Sequence, residues 1–147
     1  MKSTSPIKDF NWGERVSLVR LSLKKPFRIA HGTSSERVVL RIRGENALGE
    51  APFVPYYPDT PESVRGWFKS VDAASLNIQE LPHGTPAVVR LAADVFQHDL
   101  QARRLQVPVW HLLGLRSPVG VRACRSIGIP TDLDEFAEEI RLETSRF

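Results

Sequence analysis

Residues 92–115 read AADVFQHDLQARRLQVPVWHLLGL. Val88, Leu91, Ala92, Val95 and Phe96 recur at three- and four-residue spacing. That places an apolar stripe on a helix running to about Leu105. Thr85-Pro86 stands ahead of it as a hydroxyl cap with proline at the first helical position. Pro108 to Leu113 reads as a short helical turn stopped by Gly114. Upstream the same punctuation recurs at Thr60-Pro61-Glu62, followed by Val64, Trp67, Phe68 and Val71 at helical spacing.

Further upstream the period falls to two. Val19, Leu21 and Leu23 alternate with Arg20, Ser22 and Lys24. Val38, Leu40 and Ile42 alternate with Val39, Arg41 and Arg43. Gly44-Glu45-Asn46 signals a turn, and Ala47 to Ala51 returns as a third strand. The expectation is an antiparallel three-stranded meander with one wet face, followed by a helical bundle. Downstream, residues 116–120 read as a linker and Val121 to Ile129 as a strand, with Cys124 a small buried residue of it. Thr131 and Asp134 have capping-box spacing, and Leu133, Phe136, Ala137 and Ile140 form one helix face. The fold class is thus α+β with one added β/α unit. Its expected divisions are a flexible tail over 1–14, a sheet-and-helix domain over 15–115 and the β/α unit over 116–147. One such unit cannot close a (β/α)₈ barrel, which needs about 250 residues.

The chain of 147 residues carries a net charge of +3, and its 41% apolar content is enough for a core. The start MKSTSPIKD has no apolar region of a secretory signal, and no stretch reaches the ~20 apolar residues of a membrane helix. A single cysteine suits a reducing cytosol, so a cytoplasmic location is expected. No two of His31, His83, His98 and His111 lie four apart, and no cysteine pair exists, which argues against zinc. Asp94 and His98 share a helix face and read as a surface pair rather than a dyad. No glycine-rich phosphate loop follows a strand.

Three strings resemble the enolase superfamily of the mandelate racemase and muconate lactonizing type. The first comprises Asp94, Asp99-Leu100, Arg103 or Arg104, Pro108 and Leu112-Leu113-Gly114. The second is Gly49-Glu50-Ala51, and the third is Pro26-Phe27-Arg28-Ile29-Ala30-His31-Gly32. Within that superfamily, Phe53-Val54-Pro55-Tyr56-Tyr57 and Ser126-Ile127-Gly128-Ile129 look most like dipeptide (L-Ala-D/L-Glu) epimerases. The resemblance implies an N-terminal capping domain whose loops 27–34 and 53–59 close over a barrel and select substrate. It implies binding roles for Arg28, Ile29, His31, Phe53, Val54, Tyr56, Tyr57 and Ser126. Arg28 would grip a substrate carboxylate through its planar fork; as a residue of this chain alone it reads equally as a solvated loop residue.

The reaction implied for the parent family is Mg²⁺-assisted proton abstraction next to a carboxylate, with lysine as base. The family's lysines and metal-ligand carboxylates lie on later barrel strands. Lys2, Lys8, Lys24, Lys25 and Lys69 all precede the β/α unit and cannot substitute for them. The expectation is therefore a truncated isomerase relative without catalytic residues or a metal site of its own. A small carboxylate or dipeptide would be the parent substrate, and a second copy or a barrel-supplying chain the partner. Phe96 replaces a small alanine of the family, Gln97 a common leucine and Gln106 a glycine suited to left-handed backbone, which puts close helix packing in doubt. The competing readings are a basic sheet face of Arg20, Lys24, Arg41 and Arg43 holding an anion or nucleic acid, and a structural partner of the chain that supplies the barrel. No aromatic residues interleave with those cations, so base stacking is not indicated.

Overall fold

A computed structural model describes residues 12–30, 32–73, 75–122, 124 and 126–145. Their elements, in chain order, are α1 (Trp12–Arg15), β1 (Val16–Ile29), β2 (Gly32–Gly44), β3 (Ala47–Pro52), α2 (Pro61–Ser70), α3 (Ala87–Leu105), α4 (Val109–Leu112) and α5 (Leu133–Thr144). The fold is α+β, a three-stranded antiparallel sheet in the order β1-β2-β3 with helices. Contacts divide the chain into two compact units. One is Met1–Leu21 with Arg37–Val121, and the other is Ser22–Glu36 with Arg122–Phe147.

In the first unit, β2 and β3 pair antiparallel with Leu40 opposite Ala51, Ile42 opposite Gly49 and Gly44 opposite Ala47. The two-residue turn has positive φ at both Glu45 (48°) and Asn46 (63°), the geometry that matches strand twist. Side chains alternate across a strand, so Ala47, Gly49 and Ala51 share a face, and all three are buried. Helix α3 lies against that face through Val89, Ala92, Ala93, Phe96 and Leu100. Small residues on β3 are what let the helix approach. A β-carbon at Gly49 would sit against the Ala92 carbonyl oxygen and only 2.6 Å and 2.7 Å from Cβ and N of Phe96. The packing doubt raised by Phe96 is thus resolved in the opposite sense. Its ring is buried in the core, while Gly49 supplies the room. The apolar stripe of α3 is also turned from its expected place. Val88, Ala92 and Phe96 are buried as expected, but Leu91 and Val95 are exposed and Val89 and Ala93 take their places. Val39, expected on the wet face of β2, is buried as well.

The ends of the helices follow local chemistry. Thr60 caps α2 with a reciprocal pair, its hydroxyl accepting from Ser63 N–H and Ser63 Oγ accepting from Thr60 N–H. Helix α3 ends at Leu105, and Gln106 takes left-handed backbone at φ 56°, ψ 38°. Glycine adopts that region without the steric cost a β-carbon carries. Gln106→Gly is expected to raise stability by about 0.5–1 kcal/mol, seen as a higher urea midpoint with unchanged slope. Gly114, at φ 68°, follows α4 as expected.

Trp12 is 1% exposed and packs with Phe68, ring centroids 5.8 Å apart. Of the tail expected over residues 1–14, Trp12 to Glu14 lie in α1, because an indole of that size gains more in the core than in water, and residues 1–11 lie outside the described residues.

The described residues of 121–129, all but Val121 in the second unit, form no strand. A strand needs a ladder partner along its length. Here Ile129 N–H donates to Arg28 O at 2.8 Å, a single rung among the described residues. Cys124 is accordingly exposed, not a buried strand residue. Helix α5 is capped by Asp132 rather than Thr131. The Asp132 carboxylate accepts from Asp134 N–H (2.8 Å) and Glu135 N–H (2.9 Å), favoured by the positive end of the helix. No residue of α5 is buried. No helix among the described residues is long and apolar enough to cross a membrane.

Candidate functional site

The loop after β3 is fixed at both ends. Phe53 N–H donates to Val38 O at 3.0 Å, which extends the β2–β3 pairing by one bond. Its ring is half-buried and packs on the core, and Val54 is half-buried too. Tyr57 N–H donates to Val54 O at 3.1 Å and closes a turn. That turn presents Tyr56 and Tyr57 outward, 63% and 67% exposed, with their rings edge-to-face at 5.9 Å. At the far end Asp59 Oδ2 accepts from Val88 N–H at 2.9 Å, and Thr60 caps α2. Sequence reading misses the Asp59 contact. It places the cap of α3 at Thr85, whereas Thr85 is buried and its hydroxyl donates to Pro82 O at 2.7 Å. Pro86 takes the N-cap position and offers no side-chain bond.

In the second unit, Arg28 and Ile29 end β1. Arg28 is exposed and Ile29 half-buried. The Arg28 main chain meets the Ile129 amide and lies beside Gly128, where an added β-carbon would come 3.1 Å from Arg28 N. Ser126 is exposed. His31 lies outside the described residues. Lys25 Nζ is 3.6 Å from Glu139 on α5, a solvent-screened pair. Arg28, Ile29 and Ser126 thus belong to one unit, and Phe53, Val54, Tyr56 and Tyr57 to the other.

The strings of residues noted in the sequence occupy positions with physical work of their own. Gly49 admits α3, Glu50 faces Arg41 across the β2–β3 pairing and binds its guanidinium, and Ala51 is fully buried. Asp99 Oδ2 accepts from Leu48 N–H at 2.9 Å and from Arg103 Nε at 2.8 Å, tying α3 to β3. The Arg103 hydrogen bond foremost, with the Leu48 amide, holds the Asp99 carboxyl below its usual 3.8 against the opposing effect of partial burial. Its side chain is 27% exposed.

A depressed folded-state pKa means that the unfolded chain binds the proton more readily. The stabilisation is therefore complete above pH about 4 and fades as pH falls through the lowered value. Asp99→Asn is expected to cost about 1–2 kcal/mol at pH 7. The gap between variant and wild type should narrow in urea titrations taken toward pH about 3. Arg104 chelates Glu45 of the β2–β3 turn at 2.7 Å and 2.9 Å, a second tie between the same elements. The Asp94–His98 pair lies on the surface at 3.5 Å, as read from the sequence.

The basic sheet face loses its centre, since Arg41 is neutralised by Glu50. Among the described residues, no group of three or more His, Cys, Asp or Glu side chains could hold a metal ion. The Mg²⁺ implied by the family resemblance has no donor set there.

No family model matches the chain, and no curated protein matches it. Among solved structures it is similar to an enolase family member from Agrobacterium tumefaciens with homology to dipeptide epimerases, crystallised with bound sodium and L-Ala-L-Glu. The two are 27% identical, with a TM-score of 0.49. The match covers 70% of this chain and 34% of that one, so this chain spans about a third of the structure it matches.

Proposed function

We propose that residues 15–115 are the capping domain of an enolase-superfamily racemase or epimerase, that residues 116–147 contribute the first β/α unit of its barrel, and that the loops 27–34 and 53–59 select a dipeptide substrate. The observation that carries this reading is the fit between motif and structure. From these strings Gly49, Ala51, Asp99 and Leu100 bring α3 onto β3, and Glu50 braces β3 to β2 through Arg41. A family whose cap is built on that one joint would have to keep both strings. In this reading Arg28 offers a two-pronged donor to a substrate carboxylate, and Ile29 and, by resemblance alone, His31 share the binding role. Phe53 and Val54 form the base of the second loop, Tyr56 and Tyr57 its aromatic tip, and Ser126 lies at the barrel mouth.

Proton abstraction is assigned to barrel residues that 1–147 do not supply. The described residues offer the family's Mg²⁺ no donor set, so this chain's part is to bind and orient substrate. Exposed Leu133 (76%) and Ile140, one helix face of α5, give the second unit an apolar surface that suits docking against further barrel elements.

Two measurements test the proposal. Residues 1–147 with L-Ala-L-Glu and Mg²⁺ should show no epimerisation; turnover that tracks the protein and vanishes with EDTA overturns the assignment of the chemistry. A chimera placing residues 1–115, which keep the buried Trp12, on the barrel of the Agrobacterium protein should exchange the substrate α-proton in D₂O and lose most of that rate on Arg28→Ala. A folded chimera indifferent to that substitution removes Arg28 from the site.

A further inference from the structure

We infer that Asp59 is a positioning residue, the clasp that locks the 53–59 loop onto helix α3 and so sets how Tyr56 and Tyr57 are presented. As a statement about substrate it rests on the lid reading above; as a statement about the loop it stands without it.

Helix α3 begins with an unmet need. Its N-cap is Pro86, which has no side-chain acceptor, and its first turn holds no acidic residue. The first-turn amides of a helix point out unpaired, and a negative charge is favoured beside them. Asp59 supplies both the acceptor and the charge from 29 residues upstream, through Oδ2 to Val88 N–H at 2.9 Å. Val88 is buried, so without Asp59 its amide would lose a partner where water has poor access.

The same bond has a consequence for the loop. From Phe53, which is pinned to Val38 O, to Asp59, pinned to Val88 N, only five residues intervene. Two are the exposed tyrosines. Thr60, next in the chain, is committed to capping α2. The loop is therefore held between a strand and the starts of two helices. Asp59 is its one side-chain tie to α3 among the bonds of the described residues. A carboxylate this close to the aromatic tip holds the turn in a single conformation before any ligand arrives, which lowers the ordering cost of binding.

Limited chymotrypsin cleavage of the folded chain reads this directly, because it acts after exposed tyrosines and follows the population of open loop. Asp59→Ala is expected to speed cleavage at Tyr56 or Tyr57 about tenfold, the scale of one lost hydrogen bond to a charged group. Asp59→Asn keeps an acceptor oxygen and should restore cleavage to within about twofold of wild type. Ile78→Val, a core truncation elsewhere in the same unit, should lower the melting temperature without accelerating cleavage at the tyrosines. Wild-type cleavage in Asp59→Ala, no rescue by Asn, or equal acceleration by Ile78→Val overturns the clasp. If Asp59→Ala does not fold, Asp59→Ser, whose hydroxyl is too short to reach Val88, replaces it with the same expected results. No substrate enters the assay, so the clasp and the lid reading can fail separately.

Discussion

Gly49→Ala is expected to destabilise the first unit by about 3 kcal/mol or more, enough to remove much of a typical domain's stability. The added carbon would meet the Ala92 carbonyl oxygen and the Cβ and N of Phe96. None of these is the far end of a movable side chain. Relief requires α3 to lift from β3, and that would also stretch the Asp99–Leu48 and Arg104–Glu45 ties. A simple crowding model would let Phe96→Ala rescue the variant. The geometry says otherwise, because alanine keeps the same β-carbon and backbone nitrogen. Phe96→Ala alone should cost about 3–5 kcal/mol by emptying a buried ring site, and the double variant should be worse than either single one. Urea unfolding of the four proteins of the cycle checks this. A double variant more stable than Gly49→Ala would show that the ring, and not the main chain, sets the helix distance.

That joint also shows what a sequence can disclose. The end of α3 at Leu105 and the start of α2 at Thr60 were legible because caps and prolines act on the residues beside them. The rotation of α3 was not. Leu91 and Val95 fit a helical stripe as well as Val89 and Ala93 do, and only the small residues of β3 decide which pair faces inward. The start of α3 was misread for a related reason. Thr85-Pro86 is a plausible local cap, but the amide of Val88 is met by Asp59, and a sequence separation of 29 residues hides that partnership. The stretch 121–129 alternates like a strand, yet alternation describes faces and does not supply a neighbour to pair with. Of the candidate binding residues, Tyr56 and Tyr57 were named by resemblance, and that their rings stand exposed beside one another shows only in the structure. Arg28, Ile29 and Ser126 rest on resemblance, because their own surroundings in the second unit single out no chemistry.

Trp12→Ala should cost about 3–5 kcal/mol, although the residue sits in a stretch whose sequence reads as tail. Its indole is buried against Phe68, whose ring in turn packs on Trp67 at 4.9 Å, so one deletion loosens a chain of three aromatics. Its Nε1–H donates to Leu76 O at 3.1 Å, joining the start of the chain to the segment between α2 and α3, 64 residues away. The two contributions separate by substitution. Trp12→Phe keeps much of the apolar area and leaves the Leu76 carbonyl without its indole donor, so it should cost less than half as much as alanine, about 1–2 kcal/mol. A lone tryptophan among polar residues carries no period, which is why sequence patterning overlooks it. Removing residues 1–14 should accordingly lower the melting temperature at least as far as Trp12→Ala does. If that deletion melts with the full chain, the indole is no anchor and α1 is dispensable to the core.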